Sequence, residues 1–82
     1  MNNKIIIGVD LGGTKIMTGA ITREGNVLGE PIKVPTGAND PAEMIVKRIT
    51  DSIEKTLRDL RLTVNDLIGI GIGSTGPVDS ER

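Results

Sequence analysis

The sequence contains no phenylalanine, tryptophan, tyrosine, cysteine or histidine among its 82 residues. Without cysteine, a disulfide framework and thiolate metal sites are excluded. Without histidine as well, zinc sites and Ser/His or Cys/His catalysis within the chain are excluded. Aromatic side chains bury the most area per residue, so a core of aliphatic side chains alone predicts marginal stability for a chain of this size.

Charge of either sign is not concentrated anywhere in the chain. Ten basic and eleven acidic residues leave a net charge of −1, with no basic block and no aromatic platform for stacking bases. This pattern predicts neither a nucleic-acid partner nor a membrane partner. Only three isoleucines precede Gly8 and Asp10 near the N-terminus, which is too short a run for a signal peptide or a membrane span. A cytoplasmic protein is therefore expected.

The first half of the chain is typical of three strands. They are predicted at Lys4–Asp10, Thr14–Thr22 and Val27–Val34. The first is an almost continuous β-branched run, which favours burial on both faces. A tight turn joins it to the second, where Gly12 and Gly13 would permit positive φ, and Arg23–Asn26 makes a hairpin turn. Pro31 cannot donate to a ladder, so the third strand is predicted at a sheet edge.

The second half predicts a helix and a fourth strand. Asp40 is expected to cap the helix, with Pro41 at its first position and Glu43 completing a capping box. An apolar stripe follows, formed by Ile45, Ile49, Ile53, Leu57 and Leu60. After a short turn at Thr63–Asp66, Leu67–Gly73 alternates isoleucine with glycine, so one face of that strand carries no side chains. The order predicts a single α/β unit with a mixed sheet.

The strongest functional signal is the segment Gly8–Lys15. A buried strand delivers a carboxylate to a glycine turn, whose consecutive N–H groups could form an anion-binding nest. The candidate ligand-binding residues are Asp10, Gly12, Gly13, Thr14 and Lys15. A carboxylate beside a phosphate site calls for a cation between them, so Asp10 is predicted to bind Mg²⁺ through water. The structural alternative is an ordinary hairpin that needs glycine for its turn.

A second candidate segment, Gly73–Asp79, is a polar, glycine-rich loop after a strand predicted to run parallel to the first. Ligands bind at that edge of open α/β sheets, but an ordinary strand-ending turn has the same composition. Residue types alone leave these two interpretations open.

Taken together, Ile7–Ile16 and Gly69–Asp79 resemble the first and second signatures of ROK-family sugar kinases, and the resemblance covers nearly the whole chain. It implies an incomplete half-domain of the RNase H-like, actin-like ATPase fold, with strands in the order third, second, first, fourth. It implies that Asp10 and the following turn line the phosphate side of an ATP site, with Mg²⁺. The implied sugar-side residues are Ser74, Thr75, Gly76 and Pro77, with Gly76 the expected contact.

The same resemblance implies how the activity is divided. Residues 1–82 would be the N-terminal part of the small, nucleotide-phosphate-binding domain of a hexose kinase. The catalytic base, an aspartate, would lie downstream, so no catalytic residue is assigned here and the chain alone is expected to be inactive. Family repressors carry a helix-turn-helix before the first signature, where this chain has few residues. A homo-oligomer is expected. The alternatives are another actin-like ATPase or a non-catalytic binding or oligomerisation module.

Overall fold

The computed structural model describes residues 4–74 of the chain. Its elements are β1 (Ile5–Leu11), β2 (Lys15–Thr22), β3 (Val27–Pro35), α1 (Ala42–Asp59), a short 3-10 helix (Val64–Asp66) and β4 (Leu67–Ser74). The predicted order of three strands, a helix and a fourth strand is confirmed. Thr63 and Asp66 cap the 3-10 helix reciprocally, as the short turn at that point allowed.

The four strands form one mixed sheet in the order β3-β2-β1-β4. β1 pairs antiparallel with β2 and parallel with β4, while β2 pairs antiparallel with β3. The predicted α/β fold and strand order are therefore confirmed, and Pro31 lies on an edge strand as its missing N–H requires. The β2–β3 register shifts between Thr18 and Ala20, so residues 29–31 bulge opposite Gly19.

The core lies between one face of the sheet and α1, which packs mainly against β2 and β3. Alternate residues of β1 and β2 point into it and are buried with Leu57 of the helix: Ile5, Ile7, Val9, Ile16 and Ala20. The rest of the predicted helical stripe packs against this cluster while keeping partial exposure. The period of α1 and the alternation in β1 and β2 thus give one continuous aliphatic core.

The start of α1 differs from the prediction. The helix begins at Ala42 after Pro41 and has no side-chain cap hydrogen bond. Asp40 instead accepts a hydrogen bond from Nη2 of Arg48, at 2.6 Å. The predicted capping box with Glu43 is therefore wrong. A guanidinium forms a charge-assisted bond with a carboxylate, and this competes successfully with a neutral backbone N–H.

β4 is only half covered by the rest of the fold. Ile70 and Ile72 are register partners of Ile7 and Val9, so they lie on the α1 side of the sheet. They are nevertheless 49% and 58% exposed, because the helix lies over β2 and β3. Across residues 4–74, no helix combines the length and apolar character needed to cross a membrane.

Candidate functional site

The two candidate segments meet at one edge of the sheet. β1 and β4 run parallel, so their carboxyl ends lie side by side, with Asp10 opposite Gly73 and Leu11 opposite Ser74. Ser74 is exposed at the end of β4. The other predicted sugar-side residues, Thr75, Gly76 and Pro77, lie outside the described residues. The edge at which parallel strands end is where ligands bind in open α/β sheets.

The turn between β1 and β2 needs glycine for a reason other than the predicted one. Neither Gly12 nor Gly13 has positive φ. The N–H of Gly12 donates to the carbonyl of Lys15 at 3.0 Å, and a Cβ on Gly12 would lie 3.0 Å from that same oxygen. The constraint at Gly12 is thus the close approach of two backbone segments. A Cβ on Gly13 would meet no described atom within 4 Å, so the surface beside it is open.

The hydrogen bond within the turn reduces the number of N–H groups that can form the predicted anion-binding nest. The N–H of Gly12 is bonded to the carbonyl of Lys15 within the turn, so the donors left for an anion are those that follow it, while a phosphate contact by Gly12 stays a prediction. Gly13, Thr14 and Lys15 are exposed at the tip of the turn. Lys15 takes part in no ion pair within residues 4–74, so its charge is not neutralised there by a neighbouring carboxylate. The turn therefore presents a cation, a hydroxyl and exposed backbone.

Asp10 lies beside the turn on the sheet face that α1 does not cover. Successive residues of a strand alternate between faces, so Asp10 shares this open face with Ile6 and Gly8. Its register partners are Met17 on β2 and Gly73 on β4. Asp10 is half-buried, and a Cβ on the neighbouring Gly73 would meet no described atom within 4 Å. The Asp10 carboxylate therefore lies on the strand next to β4, opposite the residue that precedes Ser74 at the polar end of β4.

A strip without side chains crosses the open face next to Asp10. Gly8 on β1 is the register partner of both Gly19 on β2 and Gly71 on β4. A Cβ on Gly8 or Gly71 would meet no described atom within 4 Å, and one on Gly19 would meet only Cβ of Pro31, at 3.9 Å. The isoleucine–glycine alternation predicted a bare face for β4. The register extends that bare face across three strands.

Two residues that sequence reasoning missed support the turn from behind. The hydroxyl of Thr36 donates to the carbonyl of Gly12 at 2.8 Å, and its N–H donates to the carbonyl of Thr14 at 3.0 Å. Arg48 on α1 donates in turn to the carbonyl of Thr36 at 2.8 Å. A polar residue two positions after the predicted edge strand was the available signal, but its burial depends on contacts that are distant in sequence.

Comparisons with known proteins identify relatives of the chain. A sequence model of the ROK family matches residues 6–82, which is almost the whole chain. The chain belongs to the ROK family. Two relatives are glucokinases: that of Halalkalibacterium halodurans is 32% identical over 81 residues, and that of Streptomyces coelicolor is 37% identical over 78 residues. These matches cover 99% and 95% of the chain but only 24% and 22% of the relatives.

A solved ROK structure has the same fold over this region. The crystal structure of a ROK family glucokinase from Streptomyces griseus, in complex with glucose and AMPPNP, superimposes with a TM-score of 0.70 at 36% identity. The superposition covers 95% of this chain and 22% of the glucokinase. The chain therefore has the fold of the N-terminal part of a ROK glucokinase and spans less than a quarter of these relatives' length.

Proposed function

We propose that this ROK chain forms the phosphate-binding part of a sugar kinase that transfers the γ-phosphoryl group of ATP to a hexose hydroxyl. The observation that carries the proposal is the meeting of Asp10, the exposed turn and the end of β4 at one sheet edge. Glucose and an ATP analogue bound to a relative of the same fold support it. Residues 1–82 would then be the N-terminal part of the small domain.

The turn would bind the phosphates. Phosphoryl transfer relies on positioning and on electrostatic stabilisation rather than on covalent chemistry by the protein. Gly13, Thr14 and Lys15 are exposed, and the N–H groups of the first two, the Thr14 hydroxyl and the Lys15 ammonium are donors of the kind that phosphate oxygens accept. Because Lys15 has no carboxylate partner within residues 4–74, its charge would act on the nucleotide.

The residues present fit a magnesium ion held mainly by other ligands. No group of three acidic, histidine or cysteine side chains capable of holding a metal occurs in residues 4–74. Mg²⁺ commonly uses one or two carboxylates, water and substrate phosphate oxygens rather than a cage of protein ligands. Asp10 would supply that carboxylate, through water. When bound, the ion would neutralise negative charge on the phosphates.

The end of β4 would form part of the sugar side. Ser74 is placed next to Leu11 by the sheet register, so a ligand at the end of β4 would lie near the phosphate turn. Thr75, Gly76 and Pro77 are proposed to continue that wall. Transfer also needs a base on the acceptor hydroxyl, which we place in the protein beyond residue 82.

Asp10→Asn in the full-length protein tests the proposal. The substitution keeps the size of the side chain but removes its charge, so kcat should fall by orders of magnitude while sugar affinity is retained. Asp51→Asn is the matched control, because Asp51 is an exposed helix carboxylate whose one ion-pair partner within residues 4–74 is Lys47. The assay is coupled ADP release, with and without a panel of hexoses. A kcat within about threefold of wild type, less than about 1 kcal/mol of barrier, would contradict the role of Asp10. ADP release independent of hexose would indicate another actin-like ATPase.

A further inference from the structure

Thr36 connects the proposed phosphate turn to the body of the fold. It follows the last residue of β3 and is only 4% exposed. Its hydroxyl donates to the carbonyl of Gly12 and its N–H to the carbonyl of Thr14, at 2.8 and 3.0 Å. One residue thus holds two peptide groups of the turn, at positions more than twenty residues earlier in the chain.

The bond to Gly12 fixes the direction of the next N–H group. A trans peptide is planar, and its C=O and N–H point in opposite directions. The carbonyl of Gly12 points to the Thr36 hydroxyl, so the N–H of Gly13 must point away from Thr36. Gly13 is exposed, and a Cβ there would meet no described atom within 4 Å. The hydroxyl of Thr36 therefore orients a donor toward the open side of the turn.

Thr36 is itself held by α1. Nη1 of Arg48 donates to the Thr36 carbonyl at 2.8 Å, and Nη2 is 2.6 Å from Oδ2 of Asp40. Gly37 has a φ of 67°, and a Cβ there would lie 2.5 Å from Nη1 of Arg48 and 2.7 Å from the Asp40 carboxylate. Glycine at position 37 thus makes room for the ion pair. The planar guanidinium spans both partners, which the point charge of lysine could not do in the same way.

We propose that Thr36 is a positioning residue for the nucleotide phosphates, and that Arg48 holds it in place from α1. The inference rests on the proposed function, since it assigns the phosphates to the turn that Thr36 orients. It adds a hydroxyl that need not touch the ligand but sets the direction of the N–H group that does. Preorganised donors of this kind avoid reorganisation during binding and transfer.

The variants that test the role of Thr36 differ in whether the side chain at position 36 carries a hydroxyl. Thr36→Val keeps the shape of the side chain and removes the donor to Gly12, whereas Thr36→Ser keeps the donor. Thr56→Val is the matched control, because Thr56 is also a buried threonine, 5% exposed, whose hydroxyl donates to the carbonyl of Ser52 within α1. The measurements, on the full-length protein, are KM for ATP, KM for glucose and the dissociation constant of AMPPNP.

Thr36→Val should raise the dissociation constant of AMPPNP and the KM for ATP about tenfold, the effect of one buried hydrogen bond left unmade. The KM for glucose should stay within about twofold of wild type by the same scale. Thr36→Ser and Thr56→Val should bind nucleotide like wild type. Unchanged nucleotide binding in Thr36→Val, or an equal loss in Thr56→Val, would overturn the inference because it would leave Thr36 with a purely structural role.

A second pair of variants covers the case in which Thr36→Val does not fold. Arg48→Ala removes the hydrogen bond to the Thr36 carbonyl. Lys47→Ala is the control, because it removes a neighbouring helix cation that pairs with Asp51. Only Arg48→Ala should weaken AMPPNP binding, by at least about threefold, or roughly half the effect of one buried hydrogen bond. Equal binding by the two variants would overturn the link through α1.

Hydrogen exchange separates this inference from the proposed function. Exchange of the peptide spanning residues 11–15, measured by mass spectrometry without nucleotide, should be faster in Thr36→Val than in wild type because the turn loses its support. Faster exchange in a protein that binds no nucleotide would refute the proposed function and, with it, the nucleotide role of Thr36. Unchanged exchange in an active kinase would refute the positioning role alone.

Discussion

A buried hydrogen bond joins the sheet to α1, and it offers a sharp test of the core. Oγ1 of Thr18 on β2 lies 2.7 Å from Oγ of Ser52 on α1, and the two residues are 0% and 3% exposed. Ser52 donates its hydrogen to the carbonyl of Ile49, also at 2.7 Å. A hydroxyl carries a single hydrogen, so Thr18 must be the donor in the shared bond.

Because Thr18 is the donor, substitutions at Thr18 and at Ser52 should lower the free energy of unfolding by different amounts. Ser52→Ala leaves the Thr18 O–H without an acceptor in a fully buried position, which should cost about 1–3 kcal/mol. Thr18→Val removes the donor with little change of shape, while Ser52 keeps its bond to Ile49, so it should cost about 0.5–1.5 kcal/mol. Combining the two leaves no unpaired donor. The double variant should therefore be more stable than Ser52→Ala alone.

The order of stability among these variants can be measured by urea or thermal unfolding. Far-UV circular dichroism follows the unfolding, since the chain has no aromatic fluorophore. For a domain of this size, 1 kcal/mol shifts Tm by about 4–8 °C. Thr50→Val is the control, because its hydroxyl is on the same helix but exposed and bonded to the Val46 carbonyl. Ser52→Ala as stable as wild type, or further destabilised when Thr18→Val is added, would refute the assigned direction. The order of the variants is the test, so it applies to the full-length protein too.

Three further predictions concern the proposed sugar side of the site and the behaviour of the isolated chain. Gly76→Val in the full-length protein should weaken sugar affinity far more than ATP affinity, because it adds a branched side chain to the proposed sugar wall. Equal losses for both ligands would indicate a purely structural turn. The 82-residue chain alone should release no ADP in response to hexoses, and it should self-associate because Ile68, Ile70 and Ile72 on β4 are about half exposed. Hexose-dependent ADP release by the 82-residue chain would contradict its predicted inactivity, and a monomer by sedimentation at high concentration would contradict its predicted self-association.

Local patterns were sufficient to predict the elements and a mixed sheet, and the resemblance to the ROK family supplied the strand order. The helical period of the stripe ending at Leu60, the β-branched run of β1 and the proline in β3 each act over a few residues, and each restricts the chain to one element type or one sheet position. The short connections then leave few topologies, because hairpins join antiparallel neighbours and a helix crossover returns a parallel strand. The capping prediction at Asp40 failed where a partner eight residues away, Arg48, competed for the same carboxylate.

The candidate site was predictable only in part, because sequence patterns reveal residue types but not register. The carboxylate and glycines of the first motif were evident from their spacing. The strip formed by Gly8, Gly19 and Gly71 was not, since it exists only when three strands pair in one particular register. Likewise, Gly12 was predicted to serve a left-handed turn, and the structure shows that it avoids a clash with the Lys15 carbonyl.

Thr36 shows why a residue acting through another is the hardest kind to find from sequence. Residues that contact a ligand carry its chemistry in their type, such as a carboxylate or an ammonium group. A threonine after a strand is equally consistent with a turn, a cap or a solvated surface. Its proposed role arises from a backbone carbonyl 24 residues away, which every residue type possesses. Because the peptide group is planar, that contact also sets the direction of the N–H of Gly13, and only a three-dimensional structure reveals it.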